Sequence, residues 1–211
     1  ICPCETPEGA SIGMVKNLAL LSNISMYTDP EIIYSSLTEL GMIELESLKP
    51  ISISRCCKII VNGSWIGVHE TPHELTKNLK NYRRNNIINP TTSIAWYINT
   101  SEILIQTDGG RIIRPLYIVE NNNVKITNQQ SFKLKKELKW DSLFIDDTTK
   151  DKDKKNISST VLEYVDPQEA DTSMFALTMS DLDKNKPDND YYYHYTHCEL
   201  HPSMMLGALA C

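Results

Sequence analysis

Apolar and polar residues alternate along this chain with two periods, and the change of period marks its elements. A proline- and glycine-bearing turn, Glu5-Thr6-Pro7-Glu8-Gly9, runs into Ser11-Ile12-Gly13-Met14 and then the apolar run Val15 to Leu21, interrupted only by Lys16 and Asn17. Pro7 fixes its own φ and biases Thr6 toward an extended form, while Gly9 tolerates positive φ. The pattern predicts an acidic turn feeding a segment that demands burial, with residues 23 to 28 continuing it as a strand. Asp29-Pro30-Glu31 reads as a helix start, with Asp29 able to cap, Pro30 suited to the first helical position and Glu31 at the positive end of the dipole. Ile33, Leu37 and Leu40 then share one face, and Gly41 ends the helix.

Lys58 to Val61 and Trp65 to Val68 flank Asn62-Gly63, the preferred pair for a two-residue turn with φ > 0 twice, and predict a β-hairpin. Thr71-Pro72-His73-Glu74 reads as a capping box with proline at N1. Leu75, Leu79 and Tyr82 form the apolar stripe of the helix behind it. Lys77, Lys80, Arg83 and Arg84 load its end with charge that suits the dipole without any ligand. Glu102 to Thr107 and Arg111 to Val119, joined by Asp108-Gly109-Gly110, predict a second hairpin. Asn121 to Asn123 reads as a polar loop. Residues 132 to 143 are helix-like, with Leu134 and Leu138 one turn apart. Residues 146 to 159 mix Asp and Lys as an exposed charged loop. Residues 161 to 165 read as a short strand, and 180 to 190, with Pro187, as a polar linker.

The expected fold class is α+β, with small hairpin-and-helix modules between two segments of a larger core. The composition shifts divide the chain into a core segment at 1–28, a first external module at 29–95, a second at 96–190 containing the loop 146–159 and the linker 180–190, and a second core segment at 191–211.

Composition changes this picture little. The chain has 211 residues and a net charge of −6. Taken alone, that balance argues against a nucleic-acid partner, because Lys and Arg dominate phosphate contacts. In a large assembly only one face needs to be basic. Six cysteines, at positions 2, 4, 56, 57, 198 and 211, include no C-x2-C pair, so reduced structural thiols of an intracellular protein are expected. There is no signal-peptide pattern and no apolar run near the length of a membrane span, so no membrane association is expected.

Candidate chemistry is sparse. His194, His197, Cys198 and His201 could all ligate zinc, but they fall within eight residues, and structural sites separate two ligand pairs by a long loop. No metal is expected here, and a zinc hydrolase is kept only as an alternative. Cys198 with His197 or His201 is a poor nucleophile–base pair, since sequence neighbours rarely align and nothing supplies an oxyanion hole. Glu5 and Glu8, spaced across a Pro-Gly turn, do not define an acid–base pair. Arg83, Arg84, Arg111 and Arg114 are suited to phosphate contacts or carboxylate pairing, with surface or subunit-interface ion pairs the expectation.

Ordered stretches carry a resemblance. Residues 1–20, built on Glu5-Thr6-Pro7-Glu8-Gly9, resemble a signature of the second-largest catalytic subunit of cellular and large-DNA-virus RNA polymerases. Thr196-His197-Cys198-Glu199-Leu200-His201-Pro202-Ser203-Met204-Met205-Leu206-Gly207 is similar to a second box of that subunit, in its eukaryotic and archaeal form. Between them, Val61-Asn62-Gly63-Ser64-Trp65-Ile66-Gly67-Val68-His69 is similar to a third. So are Tyr82-Arg83-Arg84 with Ile88-Asn89-Pro90, and Thr107-Asp108-Gly109-Gly110-Arg111 with Arg114-Pro115-Leu116. Glu163-Tyr164-Val165-Asp166 adds a short match. Cys4 stands where much of the family has a small or aliphatic residue. The chain opens on Ile1 rather than methionine and closes at Cys211, and both ends cut through motifs, so a piece of a longer protein is expected.

The resemblance implies a part of a DNA-directed RNA polymerase, a nucleotidyltransferase active only as the full complex. Residues 1–28 would follow the fork region and 191–211 would begin the hybrid-binding segment. Glu5, Pro7, Glu8, Ser11, His197, Glu199, His201 and Ser203 would lie near the RNA–DNA cleft, with Glu5 and Glu8 bracing loops through arginines. No residue would be catalytic. Mg²⁺ would be bound by the largest subunit, and Zn²⁺ elsewhere in the full subunit. Implied partners are the largest and smaller subunits, the DNA template, the RNA–DNA hybrid and NTPs. Implied locations are the nucleus for a cellular enzyme, or a virus factory, virion or host cytoplasm for a viral one. A stand-alone acidic interaction module is the competing reading.

Overall fold

The structure, a computed structural model, describes residues 2, 5–48, 56–124, 144, 160–185 and 193–201. Among them, two mixed sheets and four α-helices give an α+β fold. The expected helix at 132 to 143, the charged loop 146 to 159 and Ser203 lie outside the described residues.

The first sheet holds β2 (Ile43–Glu44), β3 (Cys57–Val61), β4 (Ser64–His69), β5 (Ser93–Tyr97) and β6 (Glu102–Gln106), in the order β2-β4-β3-β6-β5. Asn62 (φ 49°) and Gly63 (φ 81°) make the tight β3–β4 turn that their sequence predicts. Cys57, Ile59 and Val61 alternate into the core, where α1 (Glu31–Glu39) brings Ile33 and Leu37 and α2 (Pro72–Arg84) brings Leu75 and Leu79. Asp29 does accept the Glu31 N–H, at 3.1 Å, but Pro30 rather than Asp29 is the N-cap residue.

The second sheet is organised by the nine-residue strand β7 (Ile112–Glu120). It pairs with β1 (Asn23–Ile24), β8 (Asn123–Val124), β9 (Leu162–Val165) and β11 (His197–Cys198), and β11 pairs in parallel with β10 (Phe175–Ala176). Two short helices, α3 (Pro167–Asp171) and α4 (Met179–Lys184), follow β9 and β10. Leu116 lies opposite Glu163 and Ile118 opposite His197, so these four side chains share one face of the sheet. Val119, Ala176, Leu182 and Cys198 form a small core on the other.

Several sequence expectations are corrected. Residues 102–107 and 111–119 do not form a hairpin: β6 is bonded on one side to β3 and on the other to β5, so it has no free edge for β7. The Asp108-Gly109-Gly110 link is instead a crossover between sheets, clasped by the segment before α1. Thr28 N donates to Thr107 O at 3.0 Å and Gly110 N to Ser25 O at 2.9 Å. A Cβ on Gly109 would stand 3.0 Å from Tyr27 N, which explains a glycine there. The strand expected over 23 to 28 is limited to Asn23–Ile24, because beyond it Ser25 and Thr28 bond to this crossover rather than to a ladder.

The capping box at Thr71 does not form. Its side chain makes no cap bond, and its N–H donates to His69 Nδ1 at 3.0 Å. The division expected between residues 95 and 96 falls inside β5, and the linker expected from 180 begins as α4. There Asp181 accepts both the N–H and the hydroxyl of Thr178, at 3.0 and 2.8 Å, giving the segment a helical start that its polarity conceals. Asn121 and Asn122, both at positive φ, make the polar turn, and Asn123, expected in that loop, already belongs to β8.

Candidate nucleic-acid interface

The first segment folds back on itself. Cys2 N donates to Asn17 O at 2.8 Å, Asn17 Nδ2 to Glu5 O at 3.1 Å and Gly13 N to Thr6 Oγ1 at 3.2 Å. Glu5 and Glu8 are exposed, Pro7 and Ser11 are half-buried, and neither carboxylate forms an ion pair among the described residues. The run expected to be buried is open instead: Val15 is 54% and Leu20 54% exposed. With Ile12, Met14 and Leu18, these side chains make an exposed apolar seam on this side.

The last segment also runs beside β7. His197 is fully buried, Glu199 nearly so, and His201 is exposed. Glu199 pairs with Arg114, whose guanidinium lies 5.6 Å from the Phe175 ring centroid, and Phe175 meets the His197 ring edge-on at 5.5 Å. Ala19, Leu21 and Ser22 face Arg114, Pro115, Glu199 and Leu200 across a shallow depression, so the two candidate segments meet beside β7.

All four arginines pair with carboxylates of this chain, from buried Arg83 to Arg114, which keeps about a third of its side chain exposed. Arg83 is 2% exposed. Its Nε donates to Glu163 Oε1 at 2.7 Å, its Nη1 and Nη2 to the two oxygens of Glu169 at 2.7 and 2.9 Å, and its Nη1 also to Thr92 O at 2.6 Å. Arg84 Nη2 reaches Glu163 Oε2 at 3.0 Å, and Lys80 Nζ reaches Glu169 Oε1 at 3.0 Å. Arg111 Nη1 pairs with Asp166 at 3.0 Å, and Asp166 also accepts from Ser93 Oγ at 2.7 Å and from Glu169 N at 2.8 Å.

The sequence matched the end of α2 to a charge-decorated surface because helix ends favour cations. In fact α2 packs its last turn onto the second sheet. Burial works to raise the Glu163 and Glu169 carboxyls, but the Arg83 charge, joined by Arg84 and by Lys80 respectively, dominates. Glu163 is held well below the ordinary range and Glu169 at about 2. The same two acids raise Arg83 against the opposing effect of its burial.

Glu163, Asp166 and Glu169 carry this network, and residue-type reasoning gave them no role. A signal was present: Asp166-Pro167-Gln168-Glu169 repeats the cap–Pro–acid signature read at Asp29 and Thr71, and it marks α3.

Cysteine chemistry finds no support at β11. Cys198 is buried, and burial, with Glu199 and Asp181 nearby, pushes its thiol up, away from the thiolate a nucleophile needs. Adjacent on a strand, His197 and Cys198 point to opposite faces. Among the described residues no group of three or more His, Cys, Asp or Glu is placed to hold a metal ion. No described helix is long and apolar enough to cross a membrane.

Residues 1–24 match the family RNA polymerase Rpb2, domain 3, residues 59–120 match domain 4, and residues 154–202 match domain 5. The chain is 37% identical to the DNA-directed RNA polymerase II subunit RPB2 of Encephalitozoon cuniculi over 212 residues, covering 100% of this chain and 17% of that protein. It is 36% identical over 217 residues to the DNA-directed RNA polymerase II subunit 2 of Arabidopsis thaliana, again with 100% and 17% covered. With the RPB2 subunit of Schizosaccharomyces pombe the identity is 35% over 242 residues, with 100% and 19% covered. The chain belongs to the Rpb2 family, the second subunit of DNA-directed RNA polymerases. It spans less than a fifth of the length of these curated relatives.

Proposed function

We propose that this chain works as the domain 3 to domain 5 stretch of a polymerase second subunit, contributing to DNA-templated transfer of nucleotides from NTPs to an RNA 3′ end. The observation that carries the reading is the order of the three domain matches along a chain that aligns over its whole length with such subunits. Its role is to frame the cleft rather than to react. Glu5, Pro7, Glu8 and Ser11 on one side, and His201 and Ser203 on the other, border the RNA–DNA hybrid. Buried His197 and Glu199 order the floor beneath it. Arg114, about a third exposed beside the depression between the two segments, is the arginine of the four best placed to reach a phosphate.

The largest subunit, smaller subunits, template and hybrid are its partners. The catalytic Mg²⁺ ions belong to the largest subunit, and the family's Zn²⁺ site lies outside this chain. The enzyme works in the nucleus of a cell or in the compartments of a viral infection.

The test is purification of the protein that carries this chain, by a tag, from its source. The expected result is co-purification of a larger subunit and RNA synthesis that requires DNA and all four NTPs. Purification as a lone acidic protein without such synthesis would overturn the reading. The 211 residues by themselves should synthesise no templated RNA.

A further inference from the structure

We propose that Glu163 and His197 are positioning residues that set the path of residues 199–201 along the hybrid, and that helix α2 anchors them through Arg83 and Arg84. This rests on the reading of the last segment given above and adds the device that holds it in place.

Strand β11 has only two residues, so its backbone ladder to β7 and β10 is short. A two-residue ladder specifies register weakly, and side-chain anchors must finish the task. Three do so. Cys198 enters the small core on one face of the sheet. On the other face, Glu199 pairs with Arg114 and His197 Nε2 lies 3.1 Å from Glu163 Oε2.

Glu163 is ionised, since Arg83 and Arg84 both hold it. A carboxylate only accepts, so Nε2 carries the hydrogen and donates. The other ring nitrogen, Nδ1, is 3.0 Å from Thr196 Oγ1. Both ring nitrogens are engaged, and the imidazole has one orientation. A buried network of this kind is weak evidence for stability, because apolar replacements often serve as well. What it supplies is a single geometry. Arg83 fastens Glu163 from an element 80 residues away, and Glu163 fastens the strand that leads directly into Glu199 and His201.

His197 is fully buried, so it acts on the hybrid only through the backbone it fixes. The test uses the assembled polymerase, with 4-thiouridine placed in the nascent RNA to crosslink residues 199–201. His197→Met fills the site without a donor, while His197→Gln restores an N–H to Glu163. The expected result is a crosslink yield lowered roughly three- to tenfold by His197→Met, with a slower elongation rate, and recovered by His197→Gln. Equal behaviour of the two variants would mean that only packing matters and would overturn the proposal.

If His197→Met does not assemble, Thr196→Val removes the half-exposed hydroxyl that holds Nδ1. It should shift the same crosslinks in the same direction, and an unchanged pattern overturns the proposal. A wild-type enzyme with no crosslink at residues 199–201 defeats the parent reading, and this inference falls with it. A normal wild-type crosslink that neither variant alters defeats the inference alone.

Discussion

The guanidinium of Arg83 grips both carboxylate oxygens of Glu169, at 2.7 and 2.9 Å, across 86 positions of sequence. Both side chains are out of contact with solvent, and Arg83 reaches Glu163 with its remaining nitrogen. This fork joins the last turn of α2, under the first sheet, to α3 and β9 of the second. Removing the cation strands two buried anions, leaving Glu163 with Arg84 and His197 and Glu169 with Lys80. Arg83→Met should destabilise the fold by about 3–5 kcal/mol. Arg83→Lys should recover only part of that, because an ammonium cannot pair bidentately. Urea denaturation curves of the three proteins check both; a loss under 1 kcal/mol for Arg83→Met would contradict the geometry.

Acid should dissolve the same junction. The Glu169 carboxyl lies at about 2 when folded against 4.5 ordinarily, and Glu163 is also depressed. A group whose folded pKa is lowered contributes stability that is present above its unfolded value and lost as pH falls through the folded one. Stability should therefore hold from neutral pH down to about 4.5 and decline toward about 2. Glu169→Gln should be less stable at neutral pH and show a flatter acid limb in a denaturation series against pH.

Two glycines separate crowding from backbone conformation. A Cβ on Gly67 would lie 2.5 Å from Ile43 O and 2.9 Å from Met42 Cγ, so Gly67→Ala must push β2 off β4. We expect a cost of about 1–3 kcal/mol. Gly63, at φ 81°, has nothing within 4 Å, and Gly63→Ala should cost only about 1–2 kcal/mol, through the left-handed backbone alone. Thermal melting of both variants decides the order.

Thiol labelling reads the cysteines. Burial, with Glu102 and Cys56 nearby, pushes the Cys57 thiol up to about 11, and burial also raises Cys198. At pH 8 the Cys57 thiolate is then on the order of one part in a thousand. Iodoacetamide should leave both cysteines unmodified in the native protein and label both in urea, as followed by mass spectrometry. Rapid native labelling of Cys198 would reopen a reactive role.

Local signals were legible wherever the local answer was also the global one. Asn62-Gly63 demanded a tight turn, Ile33 and Leu37 a helix facing a core, and Leu75 and Leu79 a second. The motifs around Glu5, Arg83 and His197 carried the family. Asp108-Gly109-Gly110 misled, because turn residues record that the chain reverses and not which strand it then meets. Both edges of β6 were already taken, a fact that sequence spacing does not contain.

What the sequence determined by itself was the set of elements with a period or a turn residue, the fold class and the family. These depend on neighbours within a few positions, or on motif order. Only the tertiary structure decided that Arg83 turns fully inward, and that the partners of Arg83, Arg84, Arg111 and Arg114 are Glu163, Glu169, Asp166 and Glu199. An ion pair leaves no periodic trace, since an arginine at a helix end reads alike whether water or a carboxylate brought in by a distant strand lies beyond it.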